Sequence, residues 1–138
     1  MFSRLAVAPN GKDAMERLYV LGHPVAHSKT PAMYNAVYRA LGLDWDYGFA
    51  DRGTEEGARA FLDEADFPSI NITTPWKPLA FSKAQVATSS AVLAQGANVL
   101  VKRADGSFIA DNTDGLGCAS YLKRRGVDFD GASVAVCG

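Results

Sequence analysis

The chain has 138 residues, room for one domain with a real core, and its 48% apolar and 21% charged residues are ordinary for a globular fold. Fourteen basic and fifteen acidic side chains nearly cancel, and no segment concentrates lysine or arginine, so neither nucleic acid nor membrane is the expected partner and a small molecule is. Cys118 and Cys137 show no metal-ligand or redox spacing and fit a reducing cytoplasm, and neither a signal-peptide core nor a long apolar run occurs.

After an N-terminal extension over residues 1–17, LYVLG at 18–22 is a near-continuous apolar run, the pattern of a strand buried on both faces of a parallel sheet. Thr30 in N-cap position and Pro31 as the first helical residue predict a helix whose apolar stripe is Met33, Val37 and Leu41, ended by Gly42. WDYGFAD predicts a second strand, and Thr54 caps a second helix with Ala58, Phe61, Leu62 and Ala65 facing inward. SINIT predicts a third strand. Residues 79–95 read as two short helices, the second closed by Gly96.

NVLVKR and SFIA flank Asp105 and Gly106, whose preference for positive φ predicts a tight hairpin. A last helix starts near Asp114, carries Lys123, Arg124 and Arg125 in its final turn and stops at Gly126. SVAVCG at 133–138 then reads as an apolar strand meeting Gly138, the way a dinucleotide-binding unit opens; a terminal strand with an incidental glycine is the alternative. Alternating strands and helices predict an α/β fold: a mostly parallel sheet with an antiparallel hairpin and helices on both faces, in three layers.

Three stretches carry candidate chemistry. In GHPVAHSKTP, Ser28 and Thr30 place two hydroxyls at a helix mouth that favours an anion such as a carboxylate, although for the pair taken alone an N-cap beside a loop serine is the favoured reading. His23 and His27 read as loop donors with no catalytic role. In SINITTPWKP, strand alternation puts Ser69, Asn71 and Thr73 on one face, either a ligand crevice at the strand's end or a solvated edge. Pro75 and Pro78 predict extended conformations for Thr74 and Lys77, which reduces the freedom lost when Lys77 meets a ligand. In DNTDG, Asp114 is either an acid complementing the dipole of the last helix or, beside Lys77, the carboxylate that holds a proton-transferring ammonium.

Taken together, HSKTP, NITTPWK and ADNTDG stand in the order and approximate spacing of the shikimate dehydrogenase family, which the chain resembles from about Leu18 to Gly138. The resemblance implies a substrate-binding domain over residues 18–130, followed at 131–138 by the first strand of a truncated Rossmann nicotinamide-binding domain with Gly138 as its first cofactor-binding residue. It implies NADP, with NAD possible, bound mainly by the part beyond this strand. Lys77 and Asp114 would be the catalytic pair. Ser28 and Thr30 would hold the substrate carboxylate, while Asn71, Thr73, Asn98 and Asp114 would hydrogen-bond ring hydroxyls and Lys77.

The implied reaction is reversible reduction of 3-dehydroshikimate to shikimate, a cytoplasmic step of aromatic amino acid biosynthesis. Thr30 stands where the family commonly has serine and resembles quinate-using members, so an NAD-dependent quinate/shikimate dehydrogenase is one alternative. A non-catalytic carboxylate-binding module on the same cleft is another, and no metal is implied.

Overall fold

The computed structural model describes residues 15–135 and residue 137. Strand β1 (Glu16–Gly22) is followed by helix α1 (Thr30–Leu41), β2 (Trp45–Asp51), α2 (Glu55–Glu64), β3 (Ser69–Ile72) and α3 (Lys77–Lys83). Then come β4 (Val86–Ala87), α4 (Ser89–Ala94), β5 (Val99–Lys102), β6 (Phe108–Asp111) and α5 (Asp114–Arg124). The sheet has the strand order β2-β1-β3-β5-β6-β4. β1 runs parallel to β2 and β3, β4 runs parallel to β6, and β5 alone runs against its neighbours β3 and β6. The ends of β1, β3 and β6 therefore share one edge of the sheet with the start of β5.

Both faces are covered, as the alternation predicts. On one face Leu21, Ile70, Ile72, Leu100, Phe108 and Ala110 pack against Ala58 and Leu62 of α2, Leu79 and Ala80 of α3 and Ala91 of α4. On the other, Val20 and Tyr47 meet Tyr38 of α1 and Val25. Helix α2 starts as predicted, with Thr54 Oγ1 accepting from the Gly57 N–H at 3.1 Å.

Helix α1 ends where predicted, at Gly42, and has the opposite orientation. Met33, Val37 and Leu41 are 61%, 48% and 67% exposed, and the helix buries Pro31 and Tyr38 instead. Edge hydrogen bonding decides this. The Asn35 amide donates to the Tyr47 carbonyl at 2.9 Å and accepts from its N–H at 2.8 Å, satisfying the free side of edge strand β2. The Tyr34 ring stacks on Tyr47 at 4.9 Å. Two backbone bonds and a ring stack outweigh a narrow apolar stripe.

Three further expectations are corrected. Thr30 is the first helical residue rather than the cap, which is Lys29; the Thr30 N–H donates to Ser28 Oγ at 3.3 Å. Lys77 is helical rather than extended: it opens α3, Pro78 sits in the first turn where no N–H is required, and the Lys77 carbonyl accepts from Ala97 N at 2.9 Å. Gln95, at φ 48°, supplies the left-handed residue that closes α4 in place of Gly96, which instead packs on Lys77, where an added Cβ would stand in ordinary contact, 3.4 Å from the Lys77 Cβ.

The 79–95 region also contains β4, a two-residue strand that an alanine- and serine-rich stretch does not announce. The hairpin turns on Gly106 at φ 81°, with Asp105 Oδ1 accepting from the N–H of Ser107 at 3.0 Å. Of the strand expected over 131–138, residues 132–135 belong to no sheet, and residue 136 and Gly138 lie outside the described residues, as do residues 1–14 of the extension. Strand structure needs a neighbour to pair with. Among the described residues no helix is long and apolar enough to cross a membrane.

Candidate functional site

Ser28, Thr30, Asn71, Thr73, Lys77, Asn98 and Asp114 fall on the shared edge, whereas Ser69, at the start of β3, lies away from it, and backbone bonds stitch the loops of this edge together. The Thr73 N–H donates to Leu21 O at 2.8 Å, His23 N to Thr74 O at 3.0 Å, Ile72 N to Asn98 O at 2.9 Å and Asn98 N to Asp111 O at 3.0 Å. Gly22 makes this approach possible, because a Cβ there would collide with the Thr73 methyl. Polar groups at the carboxyl ends of parallel strands form the usual ligand crevice of an open α/β sheet.

Lys77 and Asp114, 37 residues apart in the chain, meet at this edge: Lys77 Nζ donates to Asp114 Oδ2 at 2.7 Å. Their side chains are 31% and 52% exposed, so the pair contributes no more than about 1 kcal/mol to folding and leaves two ammonium hydrogens for a ligand. Asp114 is held from three sides. Asn98 Nδ2 donates to Asp114 Oδ1 at 2.9 Å and to Thr113 Oγ1 at 2.9 Å, and Asn98 Oδ1 accepts from Thr113 N at 3.0 Å. With both amide hydrogens engaged, Asn98 offers a ligand only a remaining oxygen lone pair.

The third support is Asn112, which the sequence reading did not single out. It is a buried polar side chain, 7% exposed, whose Oδ1 accepts from Asp114 N at 3.0 Å and whose Nδ2 donates to Gly96 O at 2.8 Å. Since Gly96 packs on Lys77, Asn112 braces both members of the ion pair. Its place within DNTDG was the available signal. Burial, which reveals the role, was not legible.

At the β1 end, Ser28 Oγ donates to Thr30 Oγ1 at 3.1 Å, so the two hydroxyls form a linked pair over the opening of α1. Asn71 keeps the face predicted for it, with Ile70 and Ile72 buried on the opposite one, while Thr73 lies just past the end of β3. Asn71 Oδ1 accepts from the Tyr47 hydroxyl at 2.6 Å. His23 Nδ1 lies 2.6 Å from Asp51 Oδ1, and this hydrogen bond, foremost, holds the Asp51 carboxyl below its ordinary range, aided by a 3.4 Å bond from Val25 N. The pair pins the start of the loop that carries Ser28 and Thr30.

A surface groove of about 400 Å³ lies along α2, lined by Arg52, Gly57, Ala60, Phe61, Glu64 and Ala65. None of the candidate residues lines it. The convergent polar groups, rather than this groove, mark the site. Among the described residues no cluster of three or more His, Cys, Asp or Glu could hold a metal.

An α/β sheet edge with an ammonium–carboxylate pair at one end and a hydroxyl pair at the other offers convergent donors and acceptors of the kind that line a small-molecule site. Residues 20–100 match the shikimate dehydrogenase substrate binding domain, and the chain belongs to the shikimate dehydrogenase family. It is 35% identical over 127 residues to the NADP(+) shikimate dehydrogenase of Aeromonas hydrophila, covering 90% of this chain and 46% of that protein.

Shikimate 5-dehydrogenase of Thermus thermophilus in complex with shikimate has 33% identity and a TM-score of 0.73 over 83% of this chain and 44% of its own. Ligand-free 5-ketofructose reductase of Gluconobacter sp. strain CHM43 has 27% identity and a TM-score of 0.73 over 80% of this chain and 40% of its own. The chain spans less than half the length of each of these relatives.

Proposed function

We propose that this chain is the substrate-binding part of a shikimate dehydrogenase that interconverts 3-dehydroshikimate and shikimate with NADP in a reducing cytoplasm. The observation that carries the reading is the 2.7 Å Lys77–Asp114 pair standing on the same edge as the Ser28–Thr30 hydroxyls. The relatives' names supply the substrate and cofactor. Two exposed free thiols suit the compartment.

Ser28 and Thr30 hold the substrate carboxylate at the opening of α1, where N–H groups and the helix dipole favour an anion. Asn71 and Thr73 hold ring hydroxyls. In the reducing direction Lys77 meets the oxygen at the reacting ring carbon, stabilises its developing negative charge and supplies a proton; Asp114 orients the ammonium and a neighbouring hydroxyl. Asn98 acts mainly on Asp114, because its two donors are already committed to Thr113 and Asp114.

The nicotinamide supplies the hydride when bound. The described residues form no glycine loop after a strand of the kind that grips a dinucleotide, so they do not fit that group and its place is elsewhere. In this proposal residues 18–130 are the substrate domain and 131–138 open the nicotinamide domain with Gly138. The relatives' greater length supports this division.

Calorimetric titration of the chain with shikimate, quinate and 5-ketofructose tests the reading. Shikimate binds, Lys77→Met and Ser28→Ala weaken it, and 5-ketofructose, lacking a carboxylate, binds weakest. Quinate equal to or tighter than shikimate would assign Thr30 to a quinate/shikimate dehydrogenase. A folded chain that takes up neither acid at millimolar concentration contradicts the proposal.

A further inference from the structure

Tyr47 is a core residue whose hydroxyl bonds a residue of the candidate site. The residue is 3% exposed on β2, and its backbone is clamped by the Asn35 amide. Its ring stacks on Tyr34 with an interplanar angle of 16°. Held in this way, the hydroxyl reaches Asn71 Oδ1 at 2.6 Å across the intervening strand β1. That length is characteristic of O–H···O, since N–H···O bonds centre near 2.9 Å, so the amide oxygen faces the phenol and Nδ2 faces away.

Burial first, with the neighbouring Tyr34 and Tyr38, pushes the phenol well above its ordinary range, so it remains a protonated donor at any physiological pH. Asn71 Nδ2 makes no hydrogen bond to another described residue. No buried side-chain polar atom among the described residues lacks a partner, so Nδ2 is in contact with solvent at the sheet's edge.

We propose that Tyr47 is a positioning residue that turns the Asn71 amide so that Nδ2 is presented to the crevice, and the ligand atom set against Nδ2 must then be an oxygen that accepts a hydrogen bond, hydroxyl or keto, rather than an ammonium. The inference rests on the reading of Asn71 as a substrate contact. It deepens that reading by fixing the polarity of one contact, which a freely rotating asparagine would leave undetermined.

A double-mutant cycle on the 138-residue chain decides it. Tyr47→Phe keeps the ring and its stacking and removes only the hydroxyl. Shikimate affinity falls about tenfold in Tyr47→Phe and about tenfold in Asn71→Ala, and the double variant is no weaker than Asn71→Ala alone. Unchanged affinity in Tyr47→Phe, or losses that simply add, overturns the inference and leaves the functional reading intact.

A wild-type chain that binds no shikimate overturns the functional reading instead, and a ligand-free measurement then decides the polarity. The Asn71 carboxamide ¹³C and ¹⁵N resonances shift in Tyr47→Phe if the phenol holds that oxygen. Resonances that do not move reject the proposed lock.

Discussion

Phe67, 2% exposed, lies between the rings of Phe61 and Phe108 at 6.3 and 6.1 Å, whereas Asp114, half in solvent, lies among Lys77, Asn98 and Asn112. The first neighbourhood excludes water and gains from every methylene it hides. The second gains little from folding, because an exposed ion pair is worth at most about 1 kcal/mol. In the proposed function, polar side chains ordered for so little stability are organised for a ligand. The two regions should therefore fail independently when altered.

The largest expected separation is at Lys77. In a protein that carries a working nicotinamide domain, Lys77→Met lowers kcat by about 10²–10⁴ while the unfolding midpoint barely moves. Steady-state kinetics beside thermal melting checks this, and a large loss of stability would merge the two regions. Phe67→Ala is the converse. It costs about 3–5 kcal/mol in denaturant unfolding, and shikimate affinity per folded molecule is unchanged.

Asn112 sharpens the comparison because it belongs to both regions. Asn112→Ala leaves the Gly96 carbonyl and the Asp114 N–H without their partner, so it costs about 1–3 kcal/mol and weakens shikimate binding as well. Calorimetry and denaturant titration on one sample measure both losses. A stability change without an affinity change would make Asn112 a core residue only.

The smallest effect is on the alkaline limb of stability. The Tyr47 phenol titrates higher folded than unfolded, so its contribution is complete below the unfolded value near pH 10 and is lost as pH rises above it, at up to about 1.4 kcal/mol per pH unit. Tyr47→Phe should flatten that limb and leave the acid limb as it was, as urea titrations from pH 8 to 11.5 would show.

Much of this organisation was legible in order along the chain. The apolar runs at 18–22 and 69–72 formed the expected strands, Gly42 at φ 66° ends α1, and the motifs containing Lys77 and Asp114 were recognisable as strings. What escaped depends on partners far away in sequence. The face that α1 buries is set by Asn35 against Tyr47, and the helical start at Lys77 is held by Ala97, a long-range bond that overrides the local bias of a residue before proline.

Asn112 and Tyr47 show the same limit. Nothing about an asparagine between two motif residues, or a tyrosine in an edge strand, discloses that one braces the ion pair and the other orients an amide 24 residues away. Their roles arise only when the sheet order brings β2, β1 and β3 side by side.

The most direct test is the position of shikimate bound to this chain, determined crystallographically. The account predicts the ring spanning the shared edge, its carboxylate on Ser28 and Thr30 and a ring oxygen within hydrogen-bond reach of Lys77 Nζ. Shikimate seated in the groove along α2, or lying with its carboxylate on Lys77 and its ring away from Asp114, would contradict it.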